Sequence, residues 1–226
     1  MNVNRFGMNA ADNLCDPLLR VRHTARDVVD TLGPGRRSVV WVQGCSLSCP
    51  GCMVPEMWNP DVGGELVDPV ALAHRLLGGD DGIHLTVSGG EPTEQPLGVA
   101  ALLRAARSMG RTTWVYTGRI LEELLDDDDD AVLALLAEVD VLVDGRYEQN
   151  LPTAKPFRGS SNQRILNLSG VIPDEVIDRG AAAVSLSVDG NGGLVIIGVP
   201  PPGFLPQLQE RLQGKGLRLR PETPWR

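Results

Sequence analysis

Three cysteines in one short segment constrain this chain more than any other feature. Cys45, Cys49 and Cys52 have the spacing C-x3-C-x2-C within residues 44–52, GCSLSCPGC. A loop of this length can direct three thiolates at one point, which is typical of a metal or iron–sulfur site. The loop follows residues 38–43 (SVVWVQ), a β-branched apolar run that predicts a buried strand. We therefore expect the site at the carboxyl end of a strand, where α/β sheets and barrels place theirs.

The cysteine spacing alone leaves two kinds of site open. Ordinary four-cysteine sites use a complete ligand set, whereas three ligands leave one position for a group that is not protein. A [4Fe-4S] cluster held in this way has one iron free to bind a substrate or cofactor. The alternative is a zinc ion completed by Cys15, His74 or His84. A disulfide is not expected, because nothing in the sequence indicates an oxidising compartment.

A second motif lies downstream of the cysteines. The apolar run Ile83 to Val87 leads into Ser88, Gly89, Gly90 and Glu91. A strand that ends in two glycines lets the backbone approach a ligand closely, since glycine has no side chain to intervene. Alone, this segment predicts only a turn. Because this segment follows the cysteine loop by one predicted helix and one predicted strand, we interpret it as a second part of the same site.

Together these motifs resemble the radical S-adenosylmethionine (SAM) superfamily, whose cluster motif is C-x3-C-x2-C and whose SAM amino group is held by a GGE-type strand end. Within it, the chain is similar to the small activating enzymes of the anaerobic ribonucleotide reductase group. Four stretches match in order: residues 33–36 (GPGR), the cysteine loop through Trp58, residues 88–92 (SGGEP), and residues 143–147 (VDGRY) followed by 158–164 (RGSSNQR).

The resemblance implies a chemistry and a set of residues. Cys45, Cys49 and Cys52 would bind a [4Fe-4S] cluster, and SAM would chelate its open iron. One electron would cleave SAM to methionine and a 5′-deoxyadenosyl radical, which removes a hydrogen atom from the substrate. The expected SAM site comprises Ser88, Gly89, Gly90 and Glu91 at the amino group, Thr117 and Asp144 facing SAM or substrate, and Arg158 or Arg164 at the carboxylate. Guanidinium suits a carboxylate, although a surface charge is the plainer interpretation of each arginine.

Three functions follow from these observations. The first is an activase that generates a glycyl radical on a large partner enzyme, with a flavodoxin- or ferredoxin-type electron donor implied by the resemblance. The second is a radical SAM biosynthetic or maturase enzyme acting on a peptide or small molecule. It is favoured by Met53-Val54-Pro55, where relatives often carry an aromatic residue or His followed by Asn-Pro. The third is a non-catalytic iron–sulfur or zinc module, which would have no use for SGGEP.

Composition bounds the class of protein. At 226 residues we expect one domain, residues 1–226, with a core of about 30–170 and a C-terminal extension of about 171–226. The formal charge of −8 argues against nucleic-acid binding, which depends on clustered Lys and Arg. No apolar run is long enough to cross a membrane, and the first residues lack the apolar core of a signal peptide. We expect a cytoplasmic protein.

The order of predicted elements indicates an α/β fold. Strands alternate with helices at least four times, which is typical of a parallel sheet with right-handed crossovers. The resemblance implies a partial (β/α)6-type barrel of parallel strands, the radical SAM fold, with extra C-terminal strands and a helix. Predicted strands are 38–43, 83–87, 112–116, 139–143, 165–168, 182–188 and 194–199, beside an extended segment at 18–29; predicted helices are 68–77, 94–109, 120–125, 131–137, 173–179 and 204–213.

Overall fold

A computed structural model describes residues 17–180, 184–188, 193–198, 200 and 203–217. Within these residues the strands are β1 Leu19–Val29, β2 Arg36–Val42, β3 Glu65–Val67, β4 Ile83–Gly89, β5 Thr113–Tyr116, β6 Val141–Asp144, β7 Arg164–Asn167, β8 Ser185–Val188 and β9 Leu194–Ile197. The α-helices are α1 Pro69–Leu77, α2 Pro96–Ser108, α3 Leu121–Asp126, α4 Asp130–Leu136, α5 Asp174–Asp178 and α6 Phe204–Gln213. The predicted α/β class is confirmed.

Seven strands form one sheet in the order β3-β1-β2-β4-β5-β6-β7. The four central strands β2, β4, β5 and β6 are parallel, as their alternation with helices predicts. The predicted fifth strand is present as β7, and it pairs antiparallel with β6. Residues 145–163 between these two strands contain no helix, so the chain turns back beside β6 instead of crossing over the sheet. At the other side, the predicted extended segment is present as β1, which is antiparallel to β2.

One face of the sheet is covered by helices. Alternate residues of β2 take opposite faces, with Val40 and Val42 packed towards the helices and Val39 towards the other side. The Asp68 side chain caps α1, accepting hydrogen bonds from the backbone N–H groups of Val70 and Ala71 at 2.8 and 2.9 Å. Pro69 occupies the first helical position, where its missing N–H costs no hydrogen bond, and the predicted helix is confirmed.

The opposite face carries a buried arginine near the amino ends of the parallel strands. The Arg37 guanidinium donates to Thr86 Oγ1 at 2.7 Å, to the Leu85 carbonyl at 2.5 Å and to the Thr112 carbonyl at 3.1 Å. It also lies 5.8 Å from the centroid of the Trp114 ring. Burial lowers the pKa of Arg37 to about 9. These hydrogen bonds join β2, β4 and the start of β5, and so fix the sheet from which the site projects.

The C-terminal strands form a separate two-stranded antiparallel sheet, β8–β9, as the sequence predicts. The predicted turn between them, residues 189–193, falls largely outside the described residues. Ile197 of β9 is 8% exposed and packs in one cluster with Val28 and Val39. The hairpin therefore contacts the face of the large sheet that the helices leave open. No helix among the described residues is long and apolar enough to span a membrane.

Candidate functional site

The cysteine loop leaves the carboxyl end of β2 and is held at its base by backbone hydrogen bonds. The Gly44 N–H donates to the Met57 carbonyl and the Cys45 N–H to the Trp58 carbonyl, each at 2.9 Å. Within the loop, the Cys52 N–H donates to the Cys49 carbonyl at 3.0 Å. These bonds close the chain on itself between β2 and Trp58. The three cysteines are thereby confined to one short, anchored loop.

The Gln43 side chain reinforces this closure. Its Nε2 donates to the carbonyls of Glu56 and Asn59 at 3.0 and 2.7 Å, and the residue is only 1% exposed. Gln95 in turn donates from Nε2 to the Gln43 carbonyl at 2.8 Å. A buried amide with these partners ties both ends of the loop to the sheet.

All three cysteines of the loop are free thiols and half-buried. Burial raises the pKa of Cys45 to about 11, with smaller contributions from the negative charges of Glu91 and Glu94. Metal coordination removes the proton from such a thiol, because the cation stabilises the thiolate. Three half-buried sulfur donors without a disulfide fit an iron–sulfur cluster. Cys15 lies outside the described residues.

The SGGEP turn lies directly against the base of the loop. The Gly90 N–H donates to the Val42 carbonyl at 2.8 Å, and the Glu91 N–H to the Gly44 carbonyl at 2.7 Å. A side chain at Gly90 would collide with this backbone, since its Cβ would lie 2.1 Å from the Gly44 carbonyl oxygen. Glycine is required here because two backbone segments touch. The structure thus brings the two sequence motifs into direct contact.

The Glu91 side chain points into protein and is 1% exposed. Its Oε1 accepts hydrogen bonds from Thr93 N and Oγ1 at 3.0 and 2.7 Å and from Thr117 Oγ1 at 2.8 Å. Its Oε2 accepts from the Gly118 N–H at 2.8 Å. Burial raises the pKa of Glu91, while these hydrogen bonds to the carboxylate oppose the rise. Glu91 therefore joins the end of β4 to the end of β5.

Asp144 and Arg164 form a second cluster, at the carboxyl end of β6. Asp144 is fully buried and accepts from Arg164 Nε at 2.9 Å and from the Leu121 N–H at 2.9 Å. The Arg164 guanidinium also forms two hydrogen bonds with Glu122, at 2.9 and 2.6 Å. This ion pair lowers the pKa of Glu122 to about 2. Arg164 is thus shared between two carboxylates of the protein itself.

Arg158 differs from Arg164 in its partners. Its buried Nε has no hydrogen-bond partner within the described part of the chain, and its Nη1 reaches only the Gln163 carbonyl, at 3.5 Å. The residue borders a surface groove of about 580 Å³ that Leu121 and Ile165 also line. Of the two predicted arginines, Arg158 keeps the larger unused capacity to donate.

Residues 145–163 bring a further segment to the cysteine loop. Gln149 packs against Gly51, where a Cβ would lie 2.2 Å from Gln149 Oε1. Burial raises the pKa of Tyr147, and the charge of the Cys52 thiolate adds to the rise. The 143–147 and 158–164 motifs are held together by Gln163, which donates from Nε2 to the Gly145 carbonyl at 2.9 Å.

The two histidines of the zinc alternative lie away from the loop. His84 is paired with Arg37 at the amino end of β4, whereas the loop leaves β2 after Val42, which is paired with Gly89. Five residues separate these positions, or roughly 16 Å along a strand. His84 instead accepts a hydrogen bond from the Thr112 N–H at 3.0 Å. His74 is exposed in the last turn of α1.

Comparison with known proteins identifies the family to which these motifs belong. Residues 31–166, more than half of the chain, match the family described as "4Fe-4S single cluster domain". The chain belongs to this family. The family match contains every described residue of the predicted site and ends within β7.

Three similar proteins each carry the name anaerobic ribonucleoside-triphosphate reductase-activating protein. That of Enterobacteria phage T4 is 35% identical over 151 residues, which are 62% of this chain and 89% of the relative. That of Salmonella typhimurium is 33% identical over 155 residues, 63% of this chain and 94% of the relative. That of Escherichia coli K12 is 31% identical over 153 residues, 63% of this chain and 94% of the relative.

Three residues that contact the cysteine loop or its base are not predicted from the sequence. Gln43, Glu94 and Gln149 all touch the cysteine loop, yet none belongs to a spacing pattern. Their positions follow from strand register and from the path of residues 145–163. Gln43 alone offers a weak signal, as a polar residue at the end of an apolar strand.

Proposed function

We propose that this chain is a radical SAM enzyme of the activating type, in which Cys45, Cys49 and Cys52 hold a [4Fe-4S] cluster. The observation that carries the proposal is the direct contact between the cysteine loop and the SGGEP turn, through Glu91 N–H to Gly44 carbonyl at 2.7 Å. An isolated cluster or zinc module has no need for that second motif. When bound, the cluster supplies one electron that splits SAM into methionine and a 5′-deoxyadenosyl radical.

The protein's own part in this proposal is to hold and orient SAM beside the cysteines. Backbone at Ser88, Gly89 and Gly90 faces the amino group. Glu91, whose carboxylate is already satisfied by four hydrogen bonds, acts by fixing the turn that presents this backbone. Thr117 is part of the same network, since it donates to Glu91.

We assign the SAM carboxylate to an arginine on the β6 side of the site. Arg158 is the better candidate for the carboxylate, because no carboxylate of the described residues pairs with it, whereas Arg164 is held by Asp144 and Glu122. Asp144 orients Arg164 and the first turn of α3, and so would shape the end of β6 at which SAM or substrate binds. A bidentate guanidinium would suit the SAM carboxylate.

The same proposal includes a fold, a domain organisation, an electron donor and a cellular location. The four parallel strands would form a partial (β/α)6-type barrel, and residues 1–226 would act as one domain. The contact of Ile197 with Val28 and Val39 supports a C-terminal extension packed on the core. A flavodoxin- or ferredoxin-type donor would supply the electron, in the cytoplasm.

The names of the relatives support an anaerobic ribonucleotide reductase as partner. Bound SAM would supply the 5′-deoxyadenosyl group that accepts one hydrogen atom from a glycine Cα of that enzyme. The C–H bond of glycine breaks, the C–H bond of 5′-deoxyadenosine forms, and the unpaired electron remains on the glycine.

The test is to incubate the reconstituted, reduced chain with SAM and the anaerobic reductase of the same organism. We expect a glycyl-radical signal in electron paramagnetic resonance, with about one 5′-deoxyadenosine formed per radical. A Cys45→Ala, Cys49→Ala and Cys52→Ala triple variant is the matched control and should give neither. Formation of 5′-deoxyadenosine without any glycyl radical would exclude the activase role.

That outcome would favour a radical SAM maturase acting on a peptide or small molecule. One observation supports this second candidate. The chain continues for 60 residues past the family match at residue 166, and this region includes β8, β9 and α6. Alignments of only 151–155 residues cover 89–94% of the length of the three reductase-activating relatives. These relatives are therefore shorter than this chain.

A further inference from the structure

Glu94 makes a contact with the cysteine loop for which the proposed chemistry has no use. It ends the short 3-10 turn Pro92–Glu94 that follows SGGE. Its Oε1 accepts a hydrogen bond from the Ser46 backbone N–H at 2.8 Å and another from the Ser46 hydroxyl at 2.7 Å. Ser46 is the residue directly after Cys45. A carboxylate is therefore fixed one residue from the first sulfur ligand.

The charge of Glu94 is not neutralised by a neighbouring cation. Among the described residues no Lys, Arg or His forms a salt bridge with it, and Oε2 has no hydrogen bond. Glu94 differs in this respect from Glu91, which is buried and surrounded by four donors.

We propose that Glu94 is a positioning residue for the iron–sulfur cluster, with two separable effects. Its two hydrogen bonds to Ser46 hold the Cys45 end of the loop, and its negative charge lowers the reduction potential of the cluster. An electron added near a fixed negative charge is repelled by it, and net charge and hydrogen bonding are among the features that set the potential of such clusters. The inference rests on the cluster part of the proposed function, and not on SAM cleavage or on the partner.

Three variants separate anchoring from charge. Glu94→Gln keeps a carbonyl oxygen that can accept both Ser46 hydrogen bonds but removes the charge. Glu94→Ala removes the charge and the acceptor. Ser46→Ala removes the hydroxyl donor and keeps both the N–H and the charge. The matched control is Glu175→Gln, which removes an exposed carboxylate from α5, away from the loop.

The measurements are iron and sulfide content after anaerobic reconstitution, and the midpoint potential from a redox titration followed by electron paramagnetic resonance, both without SAM. For Glu94→Gln we expect wild-type iron content and a reduction equilibrium shifted about tenfold towards the reduced cluster, which is about 59 mV for one electron. For Glu94→Ala we expect a similar shift and, in addition, roughly half the iron retained during gel filtration. Ser46→Ala should lose iron faster than wild type and keep its potential.

An electrostatic effect has a further signature. Because Glu94 is exposed, the difference in potential between wild type and Glu94→Gln should narrow as salt is raised from about 0.05 to 0.5 M. Equal potentials in wild type, Glu94→Gln and Glu175→Gln would overturn the charge effect, and unchanged iron retention in Glu94→Ala would overturn the anchor. A wild-type chain that binds no iron would remove the cluster and this inference together. A loaded chain that never cleaves SAM would contradict only the proposed function.

Discussion

At the scale of single residues, the cysteines are the part of the site that sequence defines best. Spacing alone predicts Cys45, Cys49 and Cys52 as one ligand set, because ligands close in sequence need no tertiary information. The contact between Gly90 and Gly44 was also foreseeable in kind, since paired glycines at a strand end allow close backbone approach. The Glu94–Ser46 contact could not be predicted from the sequence, because residues 48 positions apart meet only through the sheet register.

Substitution of one ligand tests the cysteine loop. Cys49→Ala should abolish cluster binding, because two thiolates cannot hold a site built for three. The measurement is iron and acid-labile sulfide per chain after reconstitution, with Ser48→Ala as the neighbouring control that removes no sulfur. Full iron content in Cys49→Ala would show that the loop is misinterpreted. Cys15→Ala should leave the iron content unchanged.

Glu91 should matter for stability as well as for the site. In Glu91→Gln an amide N–H₂ replaces one carboxylate oxygen and must face a donor, either Gly118 N–H or the donors of Thr93 and Thr117. A buried donor left without an acceptor costs about 1–3 kcal/mol, so we expect the free energy of unfolding in urea to fall by that amount. Glu175→Gln, an exposed glutamate, should change it little. A fully stable Glu91→Gln would contradict the buried network.

At the scale of elements, helices and parallel strands were predictable and strand direction after residue 144 was not. The Asp68-Pro69 signal gives the start of α1 because the cap is local, and the apolar runs give β2, β4, β5 and β6. The antiparallel direction of β7 depends on the path of residues 145–163, which has no periodicity to reveal it. Arg164 shows the same limit, since its two carboxylate partners lie 20 and 42 positions away.

The Arg164 ion pairs hold β7 to β6 and α3. Arg164→Gln leaves the fully buried Asp144 carboxylate without its guanidinium, which should lower the free energy of unfolding. Since the Arg164 side chain is 42% exposed, solvent screens the pair and we expect a loss of about 1–2 kcal/mol in urea denaturation. Glu122→Gln, which removes only the exposed partner, should have a much smaller effect. Equal effects of the two variants would contradict the role given to Asp144.

At the scale of the whole molecule, the C-terminal hairpin should unfold together with the core. Ile197 packs against Val28 and Val39, so Ile197→Ala should destabilise the entire chain by about 2–4 kcal/mol through lost burial and a cavity. Unfolding can be followed by the fluorescence of Trp41 and Trp114, which lie in the large sheet. Val195→Ala is the matched control, being exposed on the same strand. An unchanged transition in Ile197→Ala would mean that the extension folds on its own.

The central claim is that the loop and the SGGEP turn together make a SAM-cleaving site. The most direct measurement is 5′-deoxyadenosine formed by the anaerobically reconstituted chain, reduced and supplied with SAM. We expect formation that depends on all three of Cys45, Cys49 and Cys52 and is greatly reduced by Gly90→Ala, whose Cβ would push the turn away from Gly44. Wild-type rates in the cysteine variants, or a cluster-loaded chain that neither binds nor cleaves SAM with its partner present, would contradict the account.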